Sequence, residues 1–107
     1  MTKMRNAEVV DNFVRGNDNC EGSNLYSENK ELINYKTVIA IRTVDYIALN
    51  SDYYSPTTSV HQNRIRRSGY DYIEVTEDEI KDIQAGFFID KPIMNNEKVL
   101  EMEDNLY

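Results

Sequence analysis

Val9, Val10, Phe13 and Val14 recur at the spacing of one helix face, behind Asn6, which has the chemistry of an N-cap, and ahead of Gly16, a natural stop. The pattern predicts a short helix over 7–15. From 17 to 30 the chain is Asn, Asp, Ser, Gly and Glu with little to bury, and reads as a loop. The stretch LINYKTVIAIRTVDYIALN then turns to β-branched and aromatic residues, with Val38 and Ala40 alternating against Ile39 and Ile41. Two strands, near 35–42 and 45–50, follow from it. No Asn-Gly or Asp-Gly pair stands between Arg42 and Asp45, so an antiparallel pair is expected with its turn type open.

Ser55-Pro56 has the N-cap and first-turn chemistry of a helix that runs through Arg66 and stops at Ser68-Gly69. YDYIEV, 70–75, alternates again and predicts a third strand. Thr76 and Glu79 have the spacing of a capping box, and three acids sit at the positive end of the helix dipole. Ile80, Ile83 and Phe87 are then expected to face inward. Phe87 to Ile89 has the character of an edge strand ended by Pro92, and 96–106 that of a short helix with Val99, Leu100, Met102 and Leu106 as its stripe. Together these predict an α+β fold: a small antiparallel sheet of three or four strands flanked by two to four short helices. The chain reads as a single domain over 1–107, with its core in about 7–90 and an acidic, partly mobile segment at 91–107.

Charge changes this picture more than composition does. A length of 107 residues with 40% hydrophobic and 29% charged side chains allows one modest core. The net charge of −7 is concentrated: 74–107 carries ten acids and three bases, whereas 42–73 carries three acids and four bases. The final third therefore repels nucleic-acid phosphate and attracts basic protein surface, while the middle can accept an anion. Eight tyrosines against three phenylalanines suit exposed contact surfaces. Cys20 is the single cysteine, in polar flanks with no cationic neighbour, so neither a disulfide nor a reactive thiol is expected. No run of eighteen apolar residues is present, which points to a soluble, cytoplasmic protein without a membrane span.

Candidate chemistry gathers in YYSPTTSVHQNRIRR, 53–67. Hydroxyls at a helix start with arginines further along can grip a phosphate or carboxylate, which makes Tyr54, Ser55, Thr57, Thr58, His61, Arg64, Arg66 and Arg67 candidate anion-binding residues. An ordinary reading competes: Ser55 caps, Thr57 and Thr58 occupy the first turn, Val60 and Ile65 pack, and the arginines sit in water where the dipole prefers cations. His61 has no partner at ligand spacing in its helix, so no metal is expected. No strand–Ser–helix elbow and no glycine-rich phosphate loop occur; the four glycines stand singly. No cofactor and no enzymatic activity are expected.

LINYKTVIAIR followed by YYSPTTSVHQNRIRR resembles a family of small uncharacterised proteins of bacteriophages, plasmids and other mobile elements, with a pattern close to Tyr-Ser-x-Thr-Thr-Ser-x-His-Gln. The resemblance covers 33–67 and implies a mobile-element origin acting in a bacterial host cell, without an activity. In size and charge the chain also resembles anti-CRISPR inhibitors. Two functions are expected from this. In the first, Glu74, Glu77, Asp78, Glu79 and Asp82 form an acidic surface that imitates nucleic acid and binds a basic host defence protein such as a CRISPR effector. In the alternative, Arg42, Arg64, Arg66 and Arg67 hold phosphates while Tyr53, Tyr54 and Tyr70 stack on bases, although the negative overall field opposes direct nucleic-acid binding. No feature of the chain sets an oligomeric state.

Overall fold

The structure, a computed structural model, describes residues 3–95. The elements run α1 (Asn6–Val14), β1 (Leu25–Glu28), β2 (Glu31–Asn34), β3 (Thr37–Arg42), β4 (Ile47–Asn50), α2 (Pro56–Arg66), β5 (Tyr72–Val75) and α3 (Glu77–Gln84). The fold is α+β, with one sheet of five strands in the order β1-β2-β3-β4-β5. The first four strands form an antiparallel meander, and β5 joins β4 in parallel after the α2 crossover.

Five strands replace the expected three or four because 17–30 is not simply a loop. Asn19, Asn24 and Asn29 occupy the left-handed backbone region at φ 62°, 60° and 50°, a conformation asparagine tolerates better than most residues. With Lys30 at φ 66° beside it, Asn29 makes a two-residue turn between the paired Glu28 and Glu31. Positive φ at both central positions matches the twist of the flanking strands. The short β1 buries only Leu25 and Ser27, so hydrophobic patterning alone does not find it.

Helices cover both faces of the sheet. Val9, Val10 and Phe13 of α1 and Ile65 of α2 pack on Leu25, Leu32, Ile39 and Leu49. On the other face Ile80 of α3 packs on Ile41, Ala48, Ile73 and Val75, with Ile83 at the margin. A bulge serves this division: Leu32 pairs with Ala40 and Ile33 with Val38, leaving Ile39 as the extra residue of β3. Ile39 and its neighbour Ala40 thereby join the same core cluster.

Both predicted caps of the later helices are present. Ser55 accepts from Thr58 N at 3.1 Å, and Thr76 and Glu79 form the reciprocal capping box. The start of α1 differs from expectation. Arg5 stands at its N-cap without a side-chain capping bond, and Asn6 Oδ1 instead accepts from Ser23 N at 2.8 Å. Val60 is 63% exposed rather than packed. Phe87 does not turn inward, since Gly86 at φ 94° reverses the chain after α3, and Phe87 to Ile89 forms no strand. The outer partner of β5 is Met94, joined to Tyr72 by two backbone bonds of 3.0 and 2.7 Å. The expected helix over 96–106 lies outside the described residues.

Candidate functional site

The motif segment enters α2 across the end of the sheet, and its polar residues are largely consumed there. Thr58 Oγ1 accepts from Asn34 Nδ2 at 2.7 Å and lies 3.0 Å from Ser55 Oγ. Gln62 Nε2 donates to Asn50 O at 2.6 Å and to Asp52 O at 2.9 Å. Asn50, fully buried at the end of β4, donates to the Tyr54 hydroxyl at 2.7 Å and to Val38 O at 3.2 Å. Burial raises the Tyr54 phenol above its ordinary pKa, against this hydrogen bond. Tyr54, Ser55, Thr58 and Gln62 are therefore a polar clamp where the chain leaves the sheet: Ser55 and Gln62 satisfy backbone groups, and Tyr54 and Thr58 take the buried amides of Asn50 and Asn34. Thr57 is exposed in the first turn.

The arginines are similarly committed. Arg42 donates to Phe13 O at 2.7 Å, pairs with Asp18 at 3.1 Å and lies over the Phe13 ring. Arg64 binds Asp11 through both carboxylate oxygens, at 2.9 and 2.8 Å. Arg66 pairs with Glu74 at 2.7 Å. Arg67 makes no ion pair among the described residues. Tyr53 and Tyr70 are exposed, at 72% and 44%, but three of the four arginines expected to hold phosphates beside them are neutralised by carboxylates.

His61 is the motif residue without such a job. It is only 5% exposed, and its Nε2 has no hydrogen-bond partner among the described residues. Burial holds its pKa below the ordinary value, so the imidazole is neutral near pH 7. It borders a cleft of about 420 Å³ between α1 and α2, where Asn6, Ala7 and Asp11 face Val60, His61, Arg64 and Arg67.

The predicted acidic surface is divided by the sheet. Glu74 alternates away from Ile73 and Val75 and faces α2, where Arg66 takes it. Glu79 accepts from Thr76 N at 3.0 Å and from Lys91 at 3.3 Å; the backbone bond from Thr76, then Lys91, hold its pKa below the ordinary value. Glu77, Asp78 and Asp82 are exposed on α3, with Asp78 and Asp82 four residues apart on one helix face. Asp52, whose carboxylate accepts from Glu77 N at 3.0 Å, adds a further negative charge at the α3 N-terminus. Periodicity could not find it, because it lies 25 residues away in sequence.

A surface that patterning missed lies at the other end of α3. Val44, at the β3–β4 turn, is 97% exposed, and Phe87 and Phe88 are 66% and 76% exposed. All three line one cleft of about 300 Å³ with Asp45, Tyr46 and Ile83. Thr43 closes the turn beneath them, donating from Oγ1 to Tyr46 O at 2.7 Å and accepting from Tyr46 N at 3.1 Å. The sequence does carry FF after a glycine, but a strand reading buried it.

No protein-family model, curated protein or solved structure matches this chain. Among the described residues, no helix is long and apolar enough to cross a membrane.

Proposed function

We propose that this chain is a non-enzymatic binding protein that docks on a cationic protein through α3 and the turn beyond it. The supporting observation is the juxtaposition at the end of α3: Val44, Phe87 and Phe88 are exposed around one cleft with Asp45 in its lining, and Asp78 and Asp82 are exposed on the helix that precedes it. Adjacent apolar side chains left in water mark interaction surfaces. Aromatic anchors ringed by charge are the usual anatomy of an interface centre and rim. The acids select a basic partner and speed its approach, and the phenylalanines supply the area that water must leave.

The acidic surface is accordingly narrower than the five expected residues. Glu77, Asp78 and Asp82 remain available to a partner, while Glu74 and Glu79 are engaged within the chain. The resemblance of 33–67 to mobile-element proteins supports a setting in the cytoplasm of a bacterial host. There the partner is a basic, nucleic-acid-handling defence protein such as a CRISPR effector, and binding blocks its phosphate channel. The alternative nucleic-acid reading has less support, because Arg42, Arg64 and Arg66 already neutralise Asp18, Asp11 and Glu74.

The test is capture of a host protein by the full chain, followed by affinity measurement with the purified partner at increasing salt. A basic partner released by salt and lost with both Phe87→Ser/Phe88→Ser and Asp78→Asn/Asp82→Asn supports the proposal. A partner held equally by both variants overturns it.

A further inference from the structure

The cleft between α1 and α2 lies away from the surface proposed above and has its own chemistry. Three observations converge on it. First, Asn6 and Ala7, which open α1, line one wall, and Arg5 provides no side-chain cap. Glu8 N at the third position donates to Arg5 O at 2.9 Å, which leaves the Asn6 and Ala7 amides of this nine-residue helix without a side-chain cap. Second, His61 on the opposite wall is 5% exposed, with an imidazole nitrogen that bonds nothing. Leaving a buried polar atom unsatisfied is costly, and such atoms call for an explanation. Third, two guanidinium groups border the same space. Arg64 gives Nε and Nη2 to Asp11, which cancels that carboxylate and leaves Nη1 for another acceptor. Arg67 is exposed and makes no ion pair among the described residues.

We propose that this cleft binds a small organic oxyanion, a carboxylate or phosphate monoester, held by Arg67, Arg64 Nη1 and the Asn6 and Ala7 amides of α1, with His61 as its neutral hydrogen-bonding partner. Its volume of about 420 Å³ is in the range of small-molecule sites. Ala7 and Val60 offer an apolar wall to the body of the ligand. The positive end of α1 favours the anion, and the two arginines offset the negative end of α2. A half-turn of the imidazole about χ2 exchanges its nitrogen and carbon positions, so the ring needs no backbone movement to present a nitrogen to the cleft.

The chain has one histidine, so the imidazole resonances of the full-length protein report this site alone. The experiment titrates benzoate and inorganic phosphate, separately and at a fixed pH of about 8 where the ring is neutral, and follows those resonances by NMR. Expected is a saturable shift with at least one probe, weakened about tenfold in Arg67→Ala and in Arg67→Gln, as removal of a charge-assisted bond requires. Whichever probe binds identifies the class of oxyanion. Absence of saturation with both probes overturns the proposal, as does a saturable shift that both variants leave unchanged. Arg67 is exposed, so its replacement leaves the fold intact, which the remaining spectrum verifies.

Discussion

Arg64 and Asp11 join α2 to α1 by two nearly parallel hydrogen bonds, Nε to Oδ1 at 2.9 Å and Nη2 to Oδ2 at 2.8 Å, across 53 positions of sequence. The fork is half exposed on both sides, at 46% and 36%, so screening by water keeps its contribution small despite good geometry.

A double-mutant cycle of Asp11→Ala and Arg64→Ala is expected to give a coupling of about 0.5–1 kcal/mol in urea unfolding, falling with salt. The hydrogen bond from Arg64 holds the Asp11 carboxyl below its ordinary pKa. A carboxyl lowered in the folded state stabilises above its unfolded value, near about pH 3.9, and that stability is lost as pH falls through the folded value. Arg64→Ala should therefore remove part of the acid sensitivity in that window. Identical acid limbs for the two proteins contradict the pairing.

His61 acts at higher pH with the same sign. Its buried imidazole is neutral in the fold, with a lowered pKa, so below about pH 6.5 the unfolded chain binds a proton that the folded chain resists. Stability should decline as pH falls from there through the folded value. Asp11, Arg64 and Arg67 border the same cleft, and burial is the cause of the lowered value. His61→Gln should flatten this limb in thermal scans between about pH 7 and 5; an unchanged slope contradicts the burial argument.

Thr58→Val keeps shape and removes the oxygen that accepts from the buried Asn34 amide. The stranded donor should cost about 1–3 kcal/mol of unfolding free energy. The denaturant slope should stay unchanged, since the exposed area does not alter. Thr57→Val one position earlier, where the side chain is exposed, should stay within about 0.5 kcal/mol.

Gly22 has no room for a methyl group, because a Cβ there runs into Asn6 Oδ1 and meets Met4 O at 3.2 Å. Gly22→Ala should destabilise by about 1–3 kcal/mol, typical of overpacking. Asn6→Ala removes the nearest obstacle together with its bond to Ser23 N. The double variant should thus lose less than the sum of the two single ones. Strict additivity would exclude the contact as the cause.

Phe87 and Phe88 should prove dispensable for folding. Replacing both by serine removes exposed apolar area and should leave the melting temperature within a few degrees of wild type, about what 0.5 kcal/mol yields. Self-association at high concentration, followed by light scattering, should fall. A strongly lowered melting temperature would place these rings in the core instead.

Helices α2 and α3 were legible because their signals are local. Ser55 followed by proline, and Thr76 spaced three residues from Glu79, act within one turn and need no distant partner. The apolar alternation of β3 to β5 is similarly short-ranged. The β1–β2 hairpin escapes local patterning because its turn depends on Asn29 and Lys30 in left-handed conformation and β1 buries only Leu25 and Ser27. Asn6 likewise has the chemistry of a cap but accepts from Ser23 N, 17 positions away, instead. Both choices are made by neighbours that arrive from elsewhere in the chain.

Sequence alone thus determined the fold class, the two well-capped helices and the uneven charge, because propensity, capping and formal charge belong to individual residues and their near neighbours. Tertiary structure alone decided which charges stay available, by pairing Arg64 with Asp11 and Arg66 with Glu74. It also brought Val44 to Phe87 and Phe88, and left His61 without a partner beside Arg67. Pairing, exposure and burial are relations between residues far apart in the chain, and only the packing of the sheet and its helices sets those distances.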